Sequence, residues 1–451
     1  MHRYDAATDE LASAVFDYAL TRVRMDPPPL DGPRSPEELA RQAGPTITEE
    51  GIGGLEALRI FKDVLAPATI SANHPRYLAF IPAAPTNASV LFDLVVGASS
   101  ICGSTWLESA GAVHAENEAL TLLATEAGLP AGSGGAFVQG GTSGNLSALV
   151  AARRRAADDR SHPPRRWVVL AGAEAHSSID HAAAVMDVDV ITVPTPDRRL
   201  TGPAVEDVVA HLDEETRAGI FAVVATAGTT NLGIVDQLDT VAQAADRLGV
   251  WFHVDGAYGA AALLAPSTRH RFDGIEQCDS MIVDPHKWLF APYDACALLY
   301  RDRDRAVGAH TQKASYLDAV QDGAFNPADV AIHLTRRLRG LPFWFSLATN
   351  GVGAYRDAIE TTLDLARRTA EHIAADPRLE LVREPDLSVV VFRRTGWAAL
   401  DYERWSEQLL RRGLAFVLPS SVDGETVMRF CFVNPRTTID DVELILGTMG
   451  D

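Results

Sequence analysis

Cysteine is scarce in this chain. Cys102, Cys278, Cys296 and Cys431 lie far apart with no CxxC pair. Neither a disulfide frame nor a zinc site is expected, and the four read as reduced core residues of a cytoplasmic protein. Basic charge is short as well: the formal net charge is -20, which argues against nucleic acid and anionic membranes as partners. No apolar run is long enough to cross a bilayer, and residues 1–30 lack a basic start followed by an apolar core. Repeats and low-complexity tracts are missing too, apart from Pro27-Pro28-Pro29. What is present is ordinary globular composition, 47% hydrophobic and 22% charged, over 451 residues. That length is too great for one small core and predicts two or three packed units.

Periodicity predicts a helix over 8–23, a proline-rich break at 26–33, and a second helix opened by Ser35-Pro36-Glu37-Glu38, with a third over 51–65. Such short helices cannot bury themselves alone, so residues 1–65 are expected to pack on the body or on a partner subunit. Helix 115–128 leads to a strand near Gly135–Val138 and a helix from Ser143 to Ala157. Strands then recur at Trp167–Leu170, Val188–Val193, Ile220–Thr226, Trp251–Val254 and Ser280–Val283, mostly with helical patterns between them. This alternation predicts a mainly parallel sheet covered on both faces. A long helix over Leu347–Asp376 followed by strands at Leu379–Val382, Ser388–Arg393, Ala415–Pro419 and Val427–Val433 predicts a small α+β domain over 347–451, after a large domain over 66–346.

Four short segments at strand ends carry chemistry. Gly140-Gly141-Thr142-Ser143-Gly144-Asn145 opens a helix just past a strand, which suits a phosphate seat; a plain strand-to-helix turn would read the same. It lacks the P-loop lysine, and Asn145 stands where a nucleophile elbow needs glycine. His176, in Ala175-His176-Ser177-Ser178, can stack on a planar ring or shuttle protons, or merely complete local hydrogen bonds. His253-Val254-Asp255-Gly256-Ala257-Tyr258 ends an apolar strand with a carboxylate that wants a cation. A protonated ring nitrogen would serve, and metal binding by His253 and Asp255 is the competitor, though no third ligand stands near. In Asp284-Pro285-His286-Lys287-Trp288-Leu289-Phe290 a lysine sits among apolar residues. Desolvation favours a neutral, nucleophilic amine there, as a Schiff-base lysine requires; a stem lying along apolar surface is the plainer alternative.

Together these motifs resemble the group II pyridoxal-phosphate decarboxylases, the family of the aromatic amino acid decarboxylases. His74-Pro75 with Phe80-Ile81-Pro82, Trp106, Gly228-Thr229-Thr230 and Arg336-Arg337 extend the likeness from about residue 70 to the end. The resemblance implies a fold-type I aminotransferase-like α/β fold with a seven-stranded sheet, as a homodimer sharing its active sites. It implies that Lys287 carries pyridoxal 5'-phosphate as a Schiff base and that Asp255 holds the ring nitrogen protonated. His176 then stacks on one ring face and Ala257 lies against the other. Thr142, Ser143 and His286 surround the phosphate, and Asp284 matches a phosphate-side position where a carboxylate is unexpected. Thr230 stands near the substrate carboxylate, while Phe80, Ile81, Pro82 and Trp106 match the substrate pocket. The implied reaction is loss of the α-carboxylate of an L-amino acid to give an amine.

One element departs from the family. Its mobile loop carries a tyrosine that helps protonate the intermediate, whereas Leu317–Thr335 here contains none and Val330 falls at that position. In relatives without the tyrosine the outcome is decarboxylation coupled to oxidative deamination, which gives an aldehyde. β-Elimination from a sulfur-bearing amino acid and a PLP-binding scaffold without turnover are further readings. A nicotinamide-binding fold has only Gly132-Ser133-Gly134-Gly135 to offer, and that run precedes a strand.

Overall fold

A computed structural model describes residues 2–312 and 325–450. At its centre is a sheet of seven strands: β1 (Gly134–Val138), β2 (Val168–Gly172), β3 (Asp189–Val193), β4 (Ile220–Thr226), β5 (Trp251–Asp255), β6 (Ser280–Val283) and β7 (Cys296–Tyr300). Their order is β1-β7-β6-β5-β4-β2-β3. Strand β7 runs antiparallel to both neighbours, and the other pairs are parallel. Alternate residues feed two separate cores. Val168 and Leu170 enter one, while Val169 and Ala171 enter the other. A strand buried on both faces reads as an unbroken apolar run, and this is why β4 is Ile-Phe-Ala-Val-Val-Ala-Thr. The expected α/β architecture is therefore present. Sequence periodicity had not placed β7, because Cys-Ala-Leu-Leu-Tyr has no alternation to mark it.

A second, antiparallel sheet follows: β8 (Leu379–Leu381), β9 (Val389–Arg394), β10 (Leu418–Val422) and β11 (Glu425–Cys431), in the order β10-β11-β9-β8. It packs with helices Ala399–Arg411 and Ile439–Gly447 around a third core. Strand β10 starts later than the predicted 415–419. Its partner register is set by the two-residue turn Asp423-Gly424, both at positive φ, which pairs Val422 with Glu425. The long helix runs Leu341–Ala375, starting six residues before the predicted point because Pro342 fits a first helical turn; Gly351, at φ 76°, interrupts it.

At the N-terminal end, helices span Ala6–Val23, Pro36–Ala43 and Gly54–Ile60. Ser35 Oγ accepts the Glu38 N–H at 3.1 Å, the cap that its sequence predicts. Helix Ala6–Val23 buries none of its own residues within this chain. No helix among the described residues is long and apolar enough to cross a membrane.

Candidate active site

The carboxyl ends of β1, β2, β4, β5 and β6 open into one cavity of about 410 Å³, where open α/β sheets place their ligands. Thr142, Ser143, His176, Thr230, Asp255, Ala257, Asp284, His286 and Lys287 all line it. Helix Gly141–Asp158 starts directly after β1, and its N-cap, Gly140, offers no side-chain cap. Beyond the Gly141 N–H, which points to Asp284, the first-turn N–H groups are thus left for a ligand, with the positive end of the helix dipole behind them. Close packing explains two glycines here. A Cβ on Gly144 would come within 2.8 Å of Ile282 Cγ2 and 2.9 Å of Cys296 Sγ, and one on Gly141 would lie 3.2 Å from both Ala257 Cβ and Asp284 Oδ2.

Asp255 ends β5 and is 5% exposed. Its Oδ2 accepts from Asn145 Nδ2 at 2.9 Å and its Oδ1 from the Ala257 N–H at 3.1 Å. No cationic side chain forms a salt bridge with it among the described residues, and no group of three metal-ligating side chains occurs among them. His253 turns away from any metal role, because Nε2 lies 2.9 Å from Asn145 Oδ1 and Nδ1 lies 2.8 Å from Ser280 Oγ. Burial pushes its imidazole down to about 4, so it is neutral.

The lysine corrects one expectation. Burial by itself depresses the Lys287 ammonium, but the Asp284 charge, its hydrogen bond to Nζ and the more distant Asp255 outweigh burial, and the net shift is upward. Asp284 Oδ2 lies 3.0 Å from Lys287 Nζ and also accepts the Gly141 N–H at 3.3 Å. Asp284 Oδ1 is buried and makes no hydrogen bond among the described residues. Trp288 does not crowd the amine. It stacks on Tyr258 at 5.2 Å and donates to Thr362 Oγ1, tying the lysine turn to helix Leu341–Ala375. His286 is held from behind through Nδ1, 2.7 Å from the Ala295 carbonyl oxygen.

Other predicted residues lie outside this cavity in the single chain. Phe80, at φ 53° and 59% exposed, faces outward with its carbonyl held by Arg429 Nη1. Ile81 packs on the main core, Pro82 is buried, and Trp106 is 37% exposed where helix Trp106–Glu126 begins. Val330 is fully buried in the second core, where its carbonyl accepts the Tyr300 hydroxyl at 3.0 Å. Residues 317–324 of the expected loop, and Tyr316, lie outside the described residues. Sequence reasoning undervalued Asn145 and Ser178, which line the cavity, and His253, which sits behind them. The available signal was a polar residue between apolar or glycine neighbours at Asn145 and His253; Ser178, which follows Ser177, carried none.

An uncapped helix N-terminus, a buried carboxylate lacking a cation, and a lysine within one cavity suit a flat ligand that has a phosphate, a protonatable ring nitrogen and an aldehyde. Pyridoxal phosphate is that ligand, and the residues present fit it. Comparison with known proteins agrees. The pyridoxal-dependent decarboxylase conserved domain matches residues 36–395. An aromatic-L-amino-acid decarboxylase of Bacillus atrophaeus is 29% identical over 415 residues, covering 89% of this chain and 86% of the relative. An L-2,4-diaminobutyrate decarboxylase of Rhizobium meliloti is 32% identical over 419 residues, covering 90% and 83%. The crystal structure of Oryza sativa TDC with PLP and tryptamine superposes with a TM-score of 0.88 at 26% identity, covering 100% of this chain and 99% of that one. The chain belongs to the pyridoxal-dependent decarboxylase family and is a pyridoxal-phosphate-dependent lyase acting on amino acids.

Proposed function

We propose that this enzyme removes the α-carboxylate of an L-amino acid and releases the amine, with Lys287, Asp255 and His176 as its catalytic residues. The convergence of these three on one cavity floored by an uncapped helix N-terminus carries the reading. Lys287 provides the amine that holds the cofactor aldehyde. Asp255, buried and without a cation, keeps a proton on the ring nitrogen. Thr142, Ser143 and His286 hold the phosphate with the first-turn amides, and Ala257 and His176 bracket the ring. When bound, the cofactor supplies an electron sink for the pair left as carbon dioxide departs. Thr230 orients the departing carboxylate at the rim. Asp284 gives the lysine ammonium a place to rest once the substrate amine has taken its position.

The names of relatives such as the Bacillus atrophaeus enzyme support an aromatic or modified aromatic substrate. In our reading Phe80, Ile81, Pro82 and Trp106 wall its side chain at a homodimer interface. Exposed apolar Phe80 and Trp106, and a first helix that buries nothing in its own chain, support that interface. The arm 1–65 would pack on the partner, with 66–346 holding the cofactor and 347–451 forming the small domain. Four free cysteines support a reducing, cytoplasmic setting.

Incubation with a panel of L-amino acids, following carbon dioxide, amine, ammonia and peroxide together, tests the reading. Carbon dioxide matched by amine is expected. Peroxide and ammonia in step with carbon dioxide would instead establish the aldehyde-forming reaction, which the tyrosine-free 317–335 segment favours. Ammonia without carbon dioxide would mean β-elimination, and a cofactor band that no amino acid perturbs would mean a scaffold. Val330→Tyr is a poor probe of proton supply, because it would overpack a fully buried site.

A further inference from the structure

We infer that Asn145 is the fork of a buried, one-directional hydrogen-bond chain that fixes the proton of His176 on Nε2. His176 then offers the cavity a donor and has no lone pair free to act as a base. Asn145, Ser178 and His253 act through it as positioning residues.

The direction follows link by link from which groups can donate. Trp251 Nε1 is a donor only, and it meets Ser280 Oγ at 2.8 Å. The single Ser280 hydroxyl proton is therefore free for His253 Nδ1, also at 2.8 Å. A neutral imidazole that accepts at Nδ1 carries its proton on Nε2, which donates to Asn145 Oδ1 at 2.9 Å. The amide orientation is fixed independently, because a carboxylate oxygen accepts and only the Asn145 nitrogen can donate to it. Both of its protons are then used, one to Asp255 Oδ2 and one to Ser178 Oγ, each at 2.9 Å. Ser178 Oγ, already an acceptor, passes its own proton to His176 Nδ1 at 2.9 Å, and the Ser178 N–H points to the same nitrogen at 3.2 Å. Two donors converge on Nδ1, so the ring proton of His176 belongs on Nε2, the nitrogen left for the cavity.

Burial makes the chain a fixed arrangement. Asn145, Ser178, His253 and Ser280 are at most 3% exposed, so water cannot replace a missing partner, and reversing one link leaves another group unsatisfied. The fork also couples the residue beneath the ring nitrogen to the residue over the ring face, since one amide serves both. The tautomer depends on protein groups alone. Its use against a ring and a substrate carboxylate rests on the decarboxylase reading.

Histidine-selective ¹⁵N NMR of the full chain, with and without pyridoxal phosphate, reads the tautomer directly once His176 is assigned by its loss in His176→Gln. An unprotonated Nδ1 and a protonated Nε2 are expected in both samples. In Ser178→Ala the Nδ1–H fraction should rise roughly threefold to tenfold, the weight of one buried hydrogen bond. Asn145→Ala should move it the same way without touching the ring, and Ser178→Thr should restore it. A purely structural role would lower stability and leave the tautomer unmoved. A His176 protonated at Nδ1 in the unsubstituted chain, or a tautomer indifferent to Ser178→Ala, overturns the inference; should Asn145→Ala not fold, Ser178→Ala alone decides. Failure of the decarboxylase reading would show separately, as borohydride leaving no pyridoxyl group on Lys287, with Lys62 and Lys313 the other lysines of the chain.

Discussion

Two buried charge clusters in this molecule are built on opposite plans. Behind the sheet, Glu116 and Arg336 are 3% and 1% exposed in their side chains and 2.6 Å apart. The second Glu116 oxygen takes the Gly340 N–H, and Arg336 also donates to the carbonyls of Gly103 and Phe137. In that cluster each charge meets its counter-charge within the chain, and only Arg336 Nε lacks a partner among the described residues. In the cavity Asp255 has no cation, Asp284 leaves Oδ1 without a hydrogen bond among the described residues, and a helix start is left uncapped. A closed pair stabilises the join between helix Trp106–Glu126 and the segment after 335. An open set stores binding capacity for a ligand with complementary charge.

Substitutions can break or sharpen that contrast. Lys287→Ala should have the largest effect on chemistry: no Schiff-base absorbance and no carbon dioxide release, with some loss of stability because buried Asp284 loses its cation. Asp255→Asn should lower turnover on the order of 10²- to 10³-fold, the scale of removing one preorganised charge-stabilising group, with stability little changed. Arg336→Met should do the reverse. It strands a buried carboxylate and should cost roughly 3–5 kcal/mol in urea unfolding, while any protein that stays folded still captures cofactor. A large loss of cofactor capture in folded Arg336→Met would show that the two clusters are not separate.

Asp284→Asn is a milder change. Removing the charge that holds Lys287 protonated lets burial act, so the pH at which the lysine captures the cofactor should move down; an unmoved or raised midpoint would show that Asp284 does not govern the amine. A separate expectation concerns acid stability. Burial holds His74, His253, His310 and His333 down at about 4, so each takes up a proton on unfolding below about 6.5. Stability should fall as pH drops from 6.5 to 4. Asp236, which burial pushes up to about 7, and Asp279, which burial also raises, oppose this. Each net proton weighs about 1.4 kcal/mol per pH unit. A urea midpoint no lower at pH 5 than at pH 7 would contradict the balance of four against two.

The alternation of strands and helices, and the positions of β4 and β6, were legible because parallel strands buried on both faces are unbroken apolar runs. Strand β7 was not, since five apolar residues without a flanking turn suit helix and strand alike. Lys287 and Asp255 stood out as charges in apolar surroundings. The charge state of Lys287 does not follow from its apolar neighbours, because Trp288 faces Tyr258 and Thr362 and Phe290 faces Tyr355, while the nearby Asp284 reaches the amine through the turn. Asn145 stands in the sequence only as the end of a phosphate-seat turn and a failed nucleophile elbow; its partners, Ser178 and the β5 residues His253 and Asp255, lie on two other segments of the chain.

By itself the sequence determined which residue types stand at the strand ends, and with them the family and the cofactor, because apolar periodicity and local turn chemistry are properties of neighbours along the chain. Tertiary structure alone decided how those groups are charged and aimed. Hydrogen-bond direction, burial and the reach of a carboxylate depend on partners brought from β2, β5 and β6, and no local pattern encodes such distances.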